Sequence, residues 1–323
     1  MDQKLSIGRD NAVKALTAFC DDKRHISLVT DGAAYELCGA KAFFDEFFAA
    51  HSVAKVTHLV VPSTNPKVEM VDALLAKIPC EVDAFIAVGG GTTIDTTKLL
   101  NLAIVSKVPV KDLLISKTAP EKLLPCMAFP TTAGTGAEAT RFAVCYDGEE
   151  KYSIDFEVIR PSDVALVPDF TATLPTYQKL STNFDAYAQA VESLWAKGAT
   201  DASKECANRA LELMKANNWL EASYWAGRAI DISRTTAAHA FSYYLTSHYG
   251  IPHGHAVYMV FEYICRNNDH PEYIKQVTGL KTLRELAQEK GIEWNAMVDD
   301  LFDHVNLKRL GNNPVEVKKE AFL

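Results

Sequence analysis

Residues 234–256 read RTTAAHAFSYYLTSHYGIPHGHA, and this stretch predicts how the second half of the chain folds. His239 and His253 are fourteen residues apart, so on one unbroken helix they would lie about 21 Å apart at ~1.5 Å per residue. Gly250 and Pro252 lie between them, and glycine commonly ends a helix while proline begins the next one. The chain is therefore predicted to reverse there and to bring both imidazoles to one point in a cleft. The alternative is that the two histidines lie at helix ends, where they cap the helices or pack against neighbouring side chains.

The composition limits the classes of protein to consider. A chain of 323 residues is long enough for two domains, and its 48% hydrophobic and 23% charged residues are typical of a globular protein. The net charge of −8 argues against a nucleic-acid partner, because phosphate binding needs basic patches. No apolar run approaches the ~20 residues of a membrane span, and the first residues carry no hydrophobic export signal. We therefore expect a cytoplasmic protein without a membrane partner.

The seven cysteines are scattered, odd in number and without a CxxC pair. This pattern fits reduced thiols in a cytosolic protein better than a disulfide framework. Each cysteine is expected to be a buried small hydrophobic residue.

The first half of the chain alternates short apolar runs with amphipathic stretches such as Tyr35–Ala50 and Val68–Lys77. This alternation favours a parallel sheet covered by helices on both faces. Ligands of such sheets bind beyond the carboxyl ends of the strands. The predicted strands are Ile26–Thr30, His58–Val61, Ala84–Val88, Met127–Phe129 and Val164–Val167.

The pattern becomes helical after Pro168, so we predict an α/β domain over residues 1–168 and an all-helical domain over residues 169–323. No convincing strand interrupts the second half. Its predicted helices are Thr173–Lys197, Asp201–Asn217, Trp219–Ile232, Thr235–Tyr249, His253–Asn267 and Lys281–Gly291.

Residues 89–95, GGGTTID, follow the strand Ala84–Val88 and open a predicted helix Thr93–Val105. Three successive glycines let the backbone approach a phosphate closely, and a helix N-terminus presents unpaired amides to its negative charge. The spacing is not the usual GxGxxG, so a tight strand-to-helix turn remains the alternative.

A second polar loop, residues 130–138 with the sequence PTTAGTGAE, also follows a predicted strand. Hydroxyls and glycines at a strand end suit contacts with a diphosphate or a ribose, although such loops are common. Asp31, after the strand Ile26–Thr30, is a candidate to accept a hydrogen bond from a ribose hydroxyl. Its alternative role is to form a turn with Gly32.

In the helical half, Asp185 and Gln189 stand at i and i+4, which makes them neighbours on one helix face. A carboxylate with two imidazoles is a plausible site for a borderline divalent cation, and an amide oxygen is a poorer fourth ligand. Gln189 is alternatively a plain hydrogen-bonding residue.

GGGTTID, PTTAGTGAEAT, DAYAQAVE and HAFSYYLTSHYGIPHG occur in this order, and together they resemble the iron-containing (group III) alcohol dehydrogenases. The resemblance runs from the Ile7-Gly-Arg-Asp region to about Asn267. It implies a Rossmann-like nucleotide-binding domain, a helical metal domain as in dehydroquinate synthase-like proteins, and a nicotinamide cofactor in the cleft between them.

The resemblance also implies roles for individual residues. Asp185, His239 and His253 match three of the four metal ligands. Asp31 matches the acidic residue that favours NAD over NADP, although Gly32 leaves room for a 2′-phosphate. The residues expected to contact NAD(P)H are Asp31, Asn65, Gly89, Gly90, Gly91, Thr92, Asp95, Thr131, Thr132, Thr135 and Lys151.

The chain departs from the family pattern at three places. Gln189 stands where the family commonly has histidine, which leaves the fourth ligand and the metal open among Fe²⁺, Zn²⁺, Mn²⁺ and Ni²⁺. Tyr243 replaces a further histidine, so a proton relay through an imidazole is not expected there, and Tyr243, water or the cofactor ribose are candidate proton donors. The end at Leu323 implies a trimmed helical domain.

Within the family, the Gln189 helix, the IPHGHAV segment and residues 309–314 resemble most the phosphonoacetaldehyde reductase branch, which makes 2-hydroxyethylphosphonate. The expected reaction is hydride transfer from NAD(P)H to an aldehyde, with the cation as Lewis acid. Arginine suits a phosphonate, so Arg234 is the first candidate substrate ligand and Arg141 the second. Either arginine is alternatively a surface or ion-pair residue.

Three other functions stay open from the sequence. One is another short-chain alcohol or aldehyde oxidoreductase of the same family. A second is a sugar-phosphate cyclase of the dehydroquinate synthase type, although the Arg/Lys-dense helix expected there is missing. A third is a nucleotide-binding protein that has lost catalysis, which Gln189 motivates. A homodimer is a further expectation, because exposed sheet edges and helical domains of this kind often pair.

Overall fold

The computed structural model describes residues 3–51, 53, 55–62, 65–79, 81–116, 118–148 and 150–322. The chain forms two compact units. The first comprises Met1–Thr132 and Ala137–Leu174, and the second comprises Ala133–Gly136 and Pro175–Leu323. The division after Leu174 lies beyond the predicted boundary at residue 168, since Phe170 is buried in a hydrophobic cluster of the first unit. Four residues of the polar loop after the fifth strand belong to the second unit.

In the described part of the first unit, eight strands form two sheets. Six parallel strands form one sheet in the order β1-β8-β5-β4-β2-β3, and β6 and β7 form an antiparallel hairpin. This arrangement confirms the predicted parallel-sheet domain. The strands are β1 Lys4–Ile7, β2 His25–Asp31, β3 Lys55–Val61, β4 Ala84–Gly89, β5 Cys126–Pro130, β6 Phe142–Asp147, β7 Glu150–Asp155 and β8 Asp163–Leu166.

Helices cover the six-stranded sheet on both faces, as two separate hydrophobic clusters show. The amphipathic stretch Tyr35–Ala50 is divided between two helices, because Gly39 adopts a left-handed conformation with φ 82° and separates them. The helices of this unit are α1 Arg9–Cys20, α2 Gly32–Leu37, α3 Ala40–Ala50, α4 Val68–Leu75, α5 Gly91–Ser106, α6 Val110–Ile115 and α7 Asp169–Ala172.

One side of the sheet is closed by an aromatic cluster. The Phe129 ring on β5 lies 5.1 Å from that of Phe44, 6.0 Å from that of Phe43 and 6.4 Å from that of Phe170, measured between centroids. Such tilted and edge-to-face pairs add to the free energy gained by burying the rings. This packing fixes β5, and therefore the place where the polar loop after it begins.

The second unit contains helices and no strand among its described residues, as predicted. Gly250 ends α11 in a left-handed conformation with φ 66°, and Pro252 directly precedes α12, so the chain reverses where the sequence pattern places the turn. The last two helices were not predicted. The helices are α8 Thr176–Trp195, α9 Asp201–Lys215, α10 Trp219–Ser233, α11 Ala237–Tyr249, α12 His253–Asn267, α13 Leu283–Lys290, α14 Trp294–Asp303 and α15 Leu307–Leu310.

The six cysteines within the described ranges carry free thiols, and all but the half-buried Cys206 are buried. Burial raises the pKa of the Cys126 and Cys145 thiols to about 12, as expected of packed, unreactive side chains. Cys80 lies outside the described residues. Across the described ranges, no helix has both the length and the apolar character that crossing a bilayer demands.

We expect Phe129→Ala to lower the free energy of unfolding by about 3–5 kcal/mol, because it leaves a cavity among three other phenylalanine rings. Urea denaturation followed by far-UV circular dichroism measures this change. Leu37→Ala is the control, since that side chain is 74% exposed and its loss should change stability by no more than about 0.5 kcal/mol. Equal effects of the two substitutions would contradict the assigned core.

Candidate functional site

The turn from β4 to α5 has the properties of a phosphate-binding turn. Gly89 ends β4, and Gly90 precedes the first turn of α5 without a side chain to cap it. A Cβ atom at Gly89 would lie 2.5 Å from the Thr93 hydroxyl oxygen, so only glycine fits there. Uncapped amides at a helix N-terminus attract anions. With Gly91 and Thr92 in its first turn, α5 thus begins as the GGGTTID pattern predicts.

Asp31 lies at the carboxyl end of β2, beside this turn. Its carboxylate accepts hydrogen bonds from the Tyr35 amide at 2.9 Å, from the Thr131 hydroxyl at 3.4 Å and from the Gly90 amide. Burial raises the pKa of this carboxyl, although these donors oppose the shift. Asp31 therefore caps α2, which begins at Gly32, and at the same time joins the ends of β2, β4 and β5.

Asp95 is turned inward, and it connects α5 to the β6–β7 hairpin. One carboxylate oxygen accepts from the Val144 amide at 3.0 Å, and the other lies 3.7 Å from the Lys98 ammonium nitrogen. Burial raises the pKa of this carboxyl, with Lys98 and Lys151 acting against the shift. Asp95 thus holds the hairpin that carries Lys151, a second predicted cofactor residue.

The remaining predicted cofactor residues are distributed over both units. Thr132 lies beside Gly90, since a Cβ atom added at Gly90 would lie 3.3 Å from the Thr132 methyl carbon. Asn65 is exposed in the segment that follows β3. Thr135 belongs to the second unit, where its carbonyl oxygen accepts a hydrogen bond from the Gln189 amide at 3.3 Å.

Three helices of the second unit bring together the predicted metal ligands. Asp185 comes from α8, His239 from α11 and His253 from α12, and one potential ligand atom from each lies within 4.8 Å of the others. The His239 Nε2 atom is 3.1 Å and the His253 Nε2 atom 3.9 Å from the same Asp185 oxygen. Asp185 and His239 are buried, whereas the His253 side chain is 35% exposed. Among the described residues, this is the one cluster of such ligands.

A glycine allows α12 to approach α8 at the level of this cluster. A Cβ atom at Gly254 would lie 2.0 Å from the Ser181 carbonyl oxygen and 3.0 Å from the Asp185 Cβ atom. The next residue, His255, donates a hydrogen bond from its backbone amide to the Ser181 hydroxyl oxygen at 3.0 Å. Its ring nitrogens are hydrogen-bonded to the Tyr177 hydroxyl and to the Lys281 carbonyl, both at 2.7 Å. The sequence HGH thus fixes the start of α12 against α8.

Both ligand histidines are oriented through their Nδ1 atoms. The Nδ1 atom of His239 is hydrogen-bonded to the Glu192 carboxylate. The Nδ1 atom of His253 lies 3.5 Å from the Ser242 hydroxyl oxygen, which itself donates to the His239 carbonyl at 2.9 Å. A proton on each Nδ1 atom leaves the Nε2 lone pairs facing Asp185, which is the arrangement that a cation requires.

The charges of the cluster are strongly coupled. Burial opposes a charge on His239, but Glu192 and Asp185 outweigh it and raise the pKa of the imidazole to about 9. Burial likewise opposes the charge of Asp185, but the two imidazoles hold the pKa of its carboxyl below the usual value. A cation that binds here replaces a proton, so its binding releases that proton.

Gln189 provides an independent test of whether a cation fits. Its amide nitrogen donates to the Thr135 carbonyl, while its buried Oε1 atom has no hydrogen-bond partner in the described part of the chain. The Gln189 side chain also hydrogen-bonds the Asp185 carboxylate, which places the amide next to the cluster. A buried amide oxygen without a donor is costly to leave unpaired, which makes it a candidate cation ligand. Two imidazole nitrogens, a carboxylate and an amide oxygen suit a borderline divalent ion. The residues present therefore fit the group.

The other predicted site residues have assigned neighbours in the structure. The Tyr243 ring stacks on His253 with centroids 6.0 Å apart. Arg234 follows α10 with a positive φ of 64°, and its guanidinium donates to the Asp231 carbonyl. In the first unit, Arg141 forms ion pairs with Asp155 and Glu157, both at 3.1 Å.

Sequence reasoning missed Glu192, which lies within the DAYAQAVE stretch. It is three residues after Gln189 and seven after Asp185, so all three share one face of α8. A third polar residue at this spacing, among alanines and valine, was the available signal.

Together the two units define a class of protein with a Rossmann-like nucleotide unit and an all-helical, metal-binding unit. The family profile described as iron-containing alcohol dehydrogenase matches residues 3–168. The profile for the C-terminal part of the Fe-containing alcohol dehydrogenase family matches residues 179–320. The chain therefore belongs to the iron-containing alcohol dehydrogenase family.

Individual relatives are more distant. A phosphonoacetaldehyde reductase of Streptomyces viridochromogenes is 30% identical over 58% of this chain and 53% of its own length. An NAD-dependent methanol dehydrogenase of Bacillus methanolicus is 27% identical over 58% and 53%. The chain thus spans about half the length of these curated relatives. A crystal structure of a Bifidobacterium kashiwanohense sulfoacetaldehyde reductase in complex with NAD⁺ superposes with a TM-score of 0.84 at 26% identity, over 99% of this chain and 95% of that one.

We expect Gln189→Leu to weaken divalent-cation binding by on the order of tenfold or more, since a hydrogen-bond-scale interaction with a charge is worth roughly 1.5–3 kcal/mol. The stability of the metal-free variant should change little, because the unpaired buried oxygen and the hydrogen bond to the Thr135 carbonyl are lost together. Competition with a chromophoric chelator measures the first effect and thermal unfolding the second. Unchanged cation affinity would exclude Gln189 as a ligand.

Proposed function

We propose that this protein is a metal-dependent, NAD(P)H-linked reductase of short aldehydes, with phosphonoacetaldehyde, reduced to 2-hydroxyethylphosphonate, as the best candidate substrate. The observation that carries the proposal is the convergence of Asp185, His239 and His253, with one potential ligand atom from each within 4.8 Å of the others. Family membership and the glycine turn before α5 support a dinucleotide as the second component.

In this proposal, residues of the helical unit bind the cation and residues of the α/β unit bind the dinucleotide. When bound, the cation supplies Lewis-acid stabilisation of negative charge and the nicotinamide supplies the hydride. Asp185, His239, His253 and Gln189 would hold the cation. The amides at the start of α5 would bind the diphosphate, and Asp31 the adenosine ribose. Tyr243, stacked on His253, is the protein group proposed to supply the proton to the product alkoxide.

The proposed substrate class is a two-carbon aldehyde with a multi-oxygen anion. Phosphonoacetaldehyde and sulfoacetaldehyde, which appear in the names of two of the relatives, share this chemistry. Arg141 pairs with two carboxylates of the first unit. Arg234 lies between α10 and α11, the helix that carries His239, and it is proposed as the anion ligand. The methanol dehydrogenase relative supports a neutral short-chain alcohol as the second candidate.

A panel of aldehydes tests the proposed reaction. Chelator-stripped protein is assayed with NADH and with NADPH, without metal and after addition of Fe²⁺, Zn²⁺, Mn²⁺ or Ni²⁺. We expect metal-dependent oxidation of one NAD(P)H per aldehyde reduced, with the anionic aldehydes preferred over acetaldehyde. A sugar-phosphate cyclase would instead regenerate its NAD within each cycle. Absence of turnover with every metal would leave a nucleotide-binding protein without catalysis.

We expect Arg234→Ala to lower kcat/KM for phosphonoacetaldehyde by about tenfold or more while changing that for acetaldehyde little, because a charge-assisted hydrogen bond is worth roughly 1.5–3 kcal/mol. Steady-state kinetics with both substrates measures the difference. Arg209→Ala is the control, since Arg209 is half-exposed and pairs with Glu221 on the surface of the helical unit. If kcat/KM falls equally for both aldehydes in the Arg234 variant, Arg234 does not bind the anion.

A further inference from the structure

Glu192 is a fully buried carboxylate on α8, and none of the roles proposed above uses it. A buried carboxylate is costly unless charged or hydrogen-bonding partners surround it. Its neighbours come from the N-terminus of α11, the helix that carries His239.

The carboxylate of Glu192 caps α11 from a different helix. Thr236 precedes α11, but its side chain does not cap the helix. One oxygen of Glu192 instead accepts from the Ala238 amide at 2.8 Å and from the Thr236 hydroxyl at 2.7 Å. An anion at this place also interacts favourably with the helix dipole.

The other oxygen of the same carboxylate bonds the Nδ1 atom of His239. An ionised carboxylate only accepts hydrogen bonds, so it requires the proton on Nδ1. The Nε2 atom of His239 then faces Asp185 at 3.1 Å, and it is the nitrogen whose lone pair a cation can bind in place of a proton. The Glu192 side chain thus fixes both the start of α11 and the tautomer of His239, which lies three residues after Thr236.

We propose that Glu192 is a positioning residue that selects the cation-binding tautomer and orientation of His239. The proposal rests on the proposed function only in that a divalent cation occupies the cluster. It assigns to this chain a carboxylate–histidine–metal relay in which the carboxylate also forms the cap of the ligand-bearing helix.

Glu192→Gln separates orientation from packing. The amide oxygen still accepts from the Ala238 amide, but the amide NH₂ group faces Nδ1 and requires it to accept. This moves the imidazole proton to Nε2 and blocks the ligand lone pair. We expect the Kd for Zn²⁺, from competition with a chromophoric chelator, to rise about 10–100-fold. NAD⁺ titration and circular dichroism check that the variant remains folded.

Two control variants address a merely structural role. Thr236→Val removes a hydrogen bond to the same carboxylate but leaves its bond with His239, so the Kd for Zn²⁺ should stay within about threefold of the wild-type value. Glu138→Gln changes another buried carboxylate, in the first unit, and should leave the Kd unchanged. A rise of the Kd in Thr236→Val equal to that in Glu192→Gln would reduce Glu192 to a helix cap and overturn the proposal.

A measurement on the Zn²⁺-loaded wild type does not depend on the folding of any variant. Histidine ¹⁵N NMR should show His239 protonated on Nδ1 and metal-bound through Nε2. The opposite assignment, or an unchanged Kd in Glu192→Gln, overturns the role of Glu192 alone. A wild-type chain that binds no divalent cation overturns the proposed function as well, so the two failures are distinguishable.

Discussion

The arrangement of the helical unit depends on the His239 imidazole, which lies in the interior between the carboxylates of Asp185 and Glu192. Neither carboxylate would be tolerated there as a lone charge, because transfer of an ion out of water costs several kcal/mol unless a partner compensates. The three groups therefore fix one another, and they fix α8 against α11. A cation that takes over the Nε2 side of the ring enters a site whose opposite side is already held by hydrogen bonds.

α8 supplies the common face of this site. Asp185, Gln189 and Glu192 follow one another at spacings of four and three residues, so one helix presents the proposed carboxylate ligand, an amide group and the carboxylate bonded to His239 in a row. The neighbouring elements approach this face closely because glycines remove the side chains that would intervene. Gly254 does so for α12 at Ser181, and Gly134 does so for the polar loop at Thr182.

Much of this was predictable from the sequence, and the exceptions have physical causes. The buried strands stand out as short apolar runs, and the turn at Gly250 and Pro252 places His239 and His253 together. By contrast, β1 and β7 carry polar residues among their apolar ones, so neither stands out as an apolar run. The inward turn of Asp95 and the partner of Glu192 depend on tertiary contacts across 49 and 47 positions of the chain, which no local pattern encodes.

Residues 133–136 belong to the helical unit although they lie within the sequence of the α/β unit, so the chain passes between the two units three times. Gly136 packs where a Cβ atom would come within 2.5 Å of the Gly227 Cα atom on α10. During synthesis this short segment leaves the ribosome long before the helices that receive it. The α/β unit therefore cannot complete its own loop after β5 until α8 and α10 exist, and neither unit corresponds to one uninterrupted piece of the polypeptide.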